Sequence, residues 1–81
     1  MTIDYPVRSN QYQFLIGKPR AWQLLFLLAA PVFIGDEIKL IELDNDGNPT
    51  GNVVFGEVIF LNTAVSSVLF DNYKLVFVKP I

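Results

Sequence analysis

The stretch DEIKLIELDNDGNPTGNVVFGEVIFL, running from Asp36 to Leu61, decides the fold. Between Asp36 and Leu43, Ile38 and Leu40 alternate with Glu37 and Lys39, and Ile41 and Leu43 then take the opposite phase around Glu42. Alternation of period two marks a strand, and a slip of one residue at Leu40/Ile41 marks a bulge. Asp44 to Gly51 concentrates turn residues, with Asp46-Gly47 able to supply the positive-φ positions of a hairpin, so this segment joins two antiparallel strands. Asn52 to Leu61 is apolar on both faces apart from Glu57, the pattern of a strand inside a closed or covered sheet. Gly56 within it is read as a point of bending.

Outward from this hairpin, Tyr73 to Val78 reads as a further, nearly all-apolar strand, reached through a loop or short turn over Asn62 to Asp71. Thr2 to Val7 mixes β-branched and aromatic residues around Pro6 and reads as a short edge strand, where proline is tolerated. In Ser9 to Gly17, Tyr12, Leu15 and Ile16 fall at helical spacing behind a Ser9 or Asn10 cap, with Gly17 as the stop and Pro19 beyond it. Ala21 to Leu28 has good helix formers and no turn signal before Pro31, so periodicity leaves both strand and helix open. A buried strand is preferred, because the neighbouring strands need a covered partner. The sum is a mainly β chain of five or six short strands with one short helix, a small β-barrel.

The chain has 81 residues, which is one domain over residues 1–81, since halving it would leave each part too small to hold a core. Hydrophobic residues make up 52% and charged residues 17%, which excludes a disordered segment. Six Lys and Arg against eight Asp and Glu leave a net charge of −2, so strong non-specific binding to DNA is not expected. No Cys and no His are present. That removes disulfides, thiol nucleophiles, zinc sites of the usual type and histidine acid–base chemistry. Met1 to Val7 lacks a basic start followed by an apolar run, so no signal peptide and a cytoplasmic location are expected. The most apolar run, Ala21 to Ile34, is interrupted by Gln23 and Pro31 and falls short of a membrane span, so it reads as buried core.

Few residues offer chemistry. The Asp-x-Asp-Gly of Asp44 to Gly47 invites a calcium loop, but that register puts Pro49 where the glycine belongs and Phe55 where the bidentate glutamate belongs. A hairpin turn accounts for it, and no metal or cofactor is expected. Lys18 and Arg20 flank Pro19, with Trp22 just beyond, and two cations beside an aromatic can hold a phosphate and stack a base. The plainer reading is a solvated turn leading to a core tryptophan. Glu57 reads as an exposed carboxylate. The serines at 9, 66 and 67 stand in no nucleophile motif, so no catalytic residue is assigned and no enzyme is expected.

Taken together, Tyr12-Gln13-Phe14-Leu15-Ile16-Gly17-Lys18, Phe33-Ile34-Gly35-Asp36-Glu37-Ile38-Lys39-Leu40, Glu42, Thr50-Gly51, Val58 and Tyr73-Lys74-Leu75-Val76-Phe77-Val78 resemble the ASCH-like branch of the PUA-like superfamily. The resemblance is to its short phage and bacterial members, covers most of the chain and is most specific at Phe33 to Leu40 with Pro49-Thr50-Gly51. It implies a PUA-like β-barrel with a cleft beside it, lined here by Lys18, Arg20, Trp22 and Gln23. Family members place a lysine, a threonine, a glutamate and an arginine in that cleft. With one inserted residue, Arg20 takes the lysine position, Ala21 the threonine, Gln23 the glutamate and Leu25 the arginine, and the hairpin arginine is replaced by Asn52. The ionisable pair is gone. The resemblance therefore implies a non-catalytic binding module for RNA or a nucleotide. A small phage-encoded protein that docks on another protein, as an inhibitor of a host system or a subunit of a larger assembly, is the competing reading, motivated by the apolar excess.

Overall fold

In a computed structural model of the chain, residues 1–17, 20–62 and 72–81 are described. Their elements follow the order β1 (Thr2–Arg8), α1 (Ser9–Ile16), β2 (Trp22–Leu27), β3 (Glu37–Leu43), β4 (Pro49–Asn62) and β5 (Tyr73–Pro80). The five strands form one sheet in the order β1-β3-β4-β5-β2, antiparallel at every pairing except β1 with β3, which is parallel. The sheet curls into a half-barrel. Its two edge strands approach across the open side, where Tyr5 of β1 sets its ring 5.1 Å from that of Phe26 in β2 and donates its hydroxyl to the Leu25 carbonyl at 3.3 Å. The expected loop over Asn62 to Asp71 lies, from residue 63 on, outside the described residues.

Local sequence explains each element. Pro6 sits in β1, an edge strand whose far side pairs with no strand among the described residues, a position where the missing N–H of proline is tolerated. The stretch left open between strand and helix is β2, paired along its whole length with β5. Inward-facing Trp22 and Leu24, Ile38 and Leu40, Val58, Val76 and Val78 fill the concave side, and α1 lays Tyr12 and Leu15 onto it. At about 25 cal/mol per Å² of apolar surface, this burial is the main stabilising term. Ile16, expected on the same helical face, is instead exposed, because the helix ends there and Gly17 turns the chain away.

Four expectations need correction. First, the inward phase of β3 does not slip at Leu40/Ile41: Ile38, Leu40 and Glu42 are all buried. The irregularity lies opposite Glu42 and on the other strand, where Thr50, Gly51 and Asn52 together face one residue of β3. Gly51 makes this possible with a φ of 95°. Second, Gly56 is not the bend. The register of β4 against β5 shifts between Val58 and Phe60, while Gly56 stays paired with Pro80. Third, β4 is not covered on both faces among the described residues, since Val53, Phe55, Ile59 and Phe60 are exposed. Fourth, the run from Ala21 to Ile34 is only partly core: Trp22, Leu24 and Val32 are buried, but Leu25, Leu27, Leu28, Phe33 and Ile34 face out.

Gly56 serves close approach. A Cβ there would lie 2.5 Å from Val78 Cγ1, 2.9 Å from Trp22 Cζ3 and 3.0 Å from the Lys79 carbonyl oxygen. None of the three can yield easily, since one is a stiff buried valine, one a buried ring and one backbone. Gly56→Ala is therefore expected to destabilise by about 1–3 kcal/mol through overpacking. Urea unfolding would show it as a lowered midpoint at unchanged slope, and an unchanged midpoint would mean that the indole is not held against this strand.

Candidate functional site

The chain leaves α1 at Gly17 and enters β2 at Trp22, and between these elements lies a hollow of about 490 Å³. Trp22 and Leu15 line it from the core, Ala21, Arg20 and Gln23 come from the start of β2, and Phe14 and Phe77 complete it from α1 and β5. A second hollow of about 470 Å³ shares Ala21 and Trp22 and is otherwise lined by Ile16, Val54, Ile59, Lys79 and Pro80. Three of the four residues read from the sequence as cleft residues thus meet at one place. Lys18, the fourth, lies outside the described residues.

Their roles differ. Arg20 is exposed and has no carboxylate partner among the described residues. Gln23 is exposed on the outer face of β2 and offers an amide donor and acceptor. Trp22 is only 2% exposed and packs in the core, so no base can stack on its faces. Its Nε1 is buried with no acceptor among the described residues. Phe14 is 59% exposed on the outer side of α1. The sequence reading chose the tryptophan because it was nearest to the cations. Helical spacing would have pointed to Phe14, since Phe14 falls between Tyr12 and Leu15 and so faces away from the core.

A second constellation was not read from the sequence at all. The Glu42 side chain, 4% exposed, is a carboxylate with no cation beside it among the described residues. Four neutral groups satisfy it. Ser9 Oγ donates to Oε2 at 2.6 Å and Gln13 Nε2 to the same oxygen at 3.2 Å. Thr50 Oγ1 donates to Oε1 at 2.7 Å and Asn52 Nδ2 to it at 3.0 Å. The bonds from Ser9, Asn52 and Thr50 hold the carboxyl at about 2, well below its ordinary value, and outweigh the opposing effect of burial. The same charge, added to the larger effect of burial, raises the Tyr12 phenol. Glu42 lies just under a cover of polar side chains, and the four bonds tie both turns of α1 to the bulge of β4. With its lone pairs occupied and its basicity low, it is poorly suited to take a proton at neutral pH.

Two further charged groups, Lys74 and Asp44, are committed to structure. Lys74 is buried on the inward side of β5 and donates Nζ to the Ala30 carbonyl at 2.6 Å, fixing the turn after β2. Asp44 Oδ1 accepts from the N–H groups of Asp46 and Asn48, both at 2.9 Å, so the carboxylate considered as a calcium ligand closes its own turn. Glu57 is exposed, opposite Lys79 in β5 and Glu37 in β3. Among the described residues no group of three or more acidic side chains could hold a metal ion, and no helix is long and apolar enough to cross a membrane.

Fold and site define a small curled β-sheet with one short helix, carrying a mixed cationic, aromatic and amide hollow where the helix hands over to the second strand. No model of a known protein family matches the chain, and no curated protein matches it.

Proposed function

We propose that the protein is a non-catalytic, PUA-like binding module that takes single-stranded RNA or a nucleotide in the hollow between α1 and β2. The observation that carries this reading is the meeting of Arg20, Gln23 and the solvent-exposed Phe14 side chain around one concave surface. Arg20 neutralises a phosphate, Phe14 stacks a base, and Gln23 addresses a base edge. Lys18, adjacent in sequence, adds a second cation to the same stretch. Affinity is modest, because two cations act against a net charge of −2. The ASCH-like motifs support the same placement of the cleft.

The test is fluorescence anisotropy with a short labelled single-stranded RNA across a salt series. Each lost phosphate contact is expected to flatten the slope of log K against log salt by about 0.7, so Lys18→Ala with Arg20→Ala flattens it by about 1.4. Phe14→Ala is expected to weaken binding by about 1–3 kcal/mol at unchanged slope. Wild-type affinity in both variants, or no binding by the wild type, refutes the reading.

A specific observation favours a second reading, docking on another protein. On the outer sheet face Glu37, Glu57, Lys79 and Lys39 place charges across β3, β4 and β5 with the exposed Phe55 and Val53 beside them, while Phe60, Phe77, Leu75, Leu25, Tyr73 and Leu27 form an apolar area over β4, β5 and β2. Phe60 is 53% exposed although it packs edge-on to Phe77 at 5.5 Å. Apolar area of this kind marks interaction surfaces.

A further inference from the structure

We propose that the hollow of about 470 Å³ between the end of α1 and the end of β5 binds a small monocarboxylic acid with an apolar body, its alkyl chain against Ile16, Val54 and Ile59 and its carboxylate on Lys79. The inference is independent of the RNA reading, since Phe14, Arg20 and Gln23 take no part in it. Two large apolar side chains left out of the core meet here. Ile16 ends α1 and is 40% exposed, whereas Tyr12 and Leu15 of the same helix are buried. Ile59 is the extra residue of the bulge in β4: Val58 pairs with Val78 and Phe60 with Phe77, which leaves Ile59 without a partner in the register and 42% exposed. A bulge re-aims the side chain it carries. Ala21, Trp22 and Pro80 complete an apolar wall.

Charge selects the occupant. Lys79 is the one ionisable residue in the lining, is exposed and forms no ion pair among the described residues. Glu57 stands opposite it in the β4 ladder and weakens its field without pairing to it. Apart from Lys79 and the buried Trp22 indole, no lining side chain carries a hydrogen-bonding group. A sugar or a nucleobase would therefore set its polar groups against isoleucine and valine, at the cost of the bonds they make in water. A cation would meet the Lys79 ammonium. An apolar chain with one terminal carboxylate leaves nothing unpaired. The volume lies in the range of small-molecule pockets, about 300–1,000 Å³, and a mainly apolar lining with a single polar anchor is their usual make-up.

Trp22 is the only tryptophan of the chain, so its fluorescence reports on an occupant of either hollow it lines. Octanoate, octylammonium and acetate are titrated into the full chain at low salt, with calorimetry as a second readout and circular dichroism to confirm the fold of each variant. Octanoate is expected to saturate and acetate not to bind, while octylammonium binds about tenfold more weakly than octanoate. Ile59→Ser is expected to weaken octanoate binding about fivefold through lost apolar contact. Glu57→Gln removes the opposing carboxylate and is expected to tighten it about twofold. Lys79→Glu is expected to reverse the preference for octanoate over octylammonium, and if that variant fails to fold, Lys79→Gln is expected to abolish the preference. Arg20→Ala is expected to keep wild-type octanoate affinity, which separates this site from the neighbouring hollow. No saturable octanoate binding in either readout overturns the proposal, as does a preference unchanged by substitution of Lys79. Loss of octanoate binding in Arg20→Ala overturns it in favour of the hollow between α1 and β2.

Discussion

Trp22→Ala is expected to destabilise the protein by about 3–5 kcal/mol, the range for removing a large buried aromatic side chain. A small domain is stable by only about 5–15 kcal/mol, so much of the variant would be unfolded at moderate temperature. The size of the effect follows from position: the indole is inward on β2, opposite Val78 of β5, and in contact range of Gly56 in β4, so it joins three strands of the curled sheet. Chemical denaturation followed by circular dichroism measures the loss. Trp22→Phe keeps most of the volume and is expected to cost less. A Trp22→Ala protein with wild-type stability that had lost RNA affinity would reverse the assignment and make the indole a ligand contact. Arg20→Ala is the control, because an exposed cation contributes little to folding.

The second large effect concerns Glu42 and acid. Its folded value of about 2 lies below the ordinary value of 4.5, so the folded state holds the ionised form more strongly than the unfolded state does. The stabilisation is therefore complete above pH 4.5 and is lost as the pH falls toward 2. Glu42→Gln is expected to lower stability at neutral pH and to remove the part of the acid dependence that falls in this window. Its amide presents two donors where Ser9, Gln13, Thr50 and Asn52 already donate, so some of these must turn away or face water. Glu57→Gln, on the open outer face, is expected to leave both the midpoint and its pH dependence close to wild type. Urea midpoints at neutral pH, pH 4 and pH 2.5 make the comparison. Parallel pH profiles for the wild type and Glu42→Gln would show that the four bonds do not hold the carboxylate more tightly than water does.

The same two residues mark how far sequence reasoning reached. Period-two alternation gave β3, nearly continuous apolar runs gave β4 and β5, and the Asp44 to Gly51 turn signals gave the hairpin, because these depend on neighbours in the chain. The hydrophobic run of β2 did not separate strand from helix, since that choice is made by its ladder to β5, fifty residues away in sequence. The basic turn was visible as Lys18 and Arg20 together. That Trp22 would turn inward and Phe14 outward depended on which face each element buried.

What the sequence determined by itself was the class of fold, the number of strands among the described residues within one, the short helix after β1, the hairpin and the poverty of acid–base groups, all of which follow from local pattern and composition. Tertiary structure alone decided the parallel pairing of β1 with β3, because parallel partners need a long crossover that no local signal encodes. It also decided the fate of Glu42. Read along the chain, that residue is one more charged position between Ile41 and Leu43 of an alternating strand. Folded, the Thr50 to Asn52 bulge and the first turns of α1 bring four donors to it from 8 to 33 residues away, and only that convergence lets a lone carboxylate be buried.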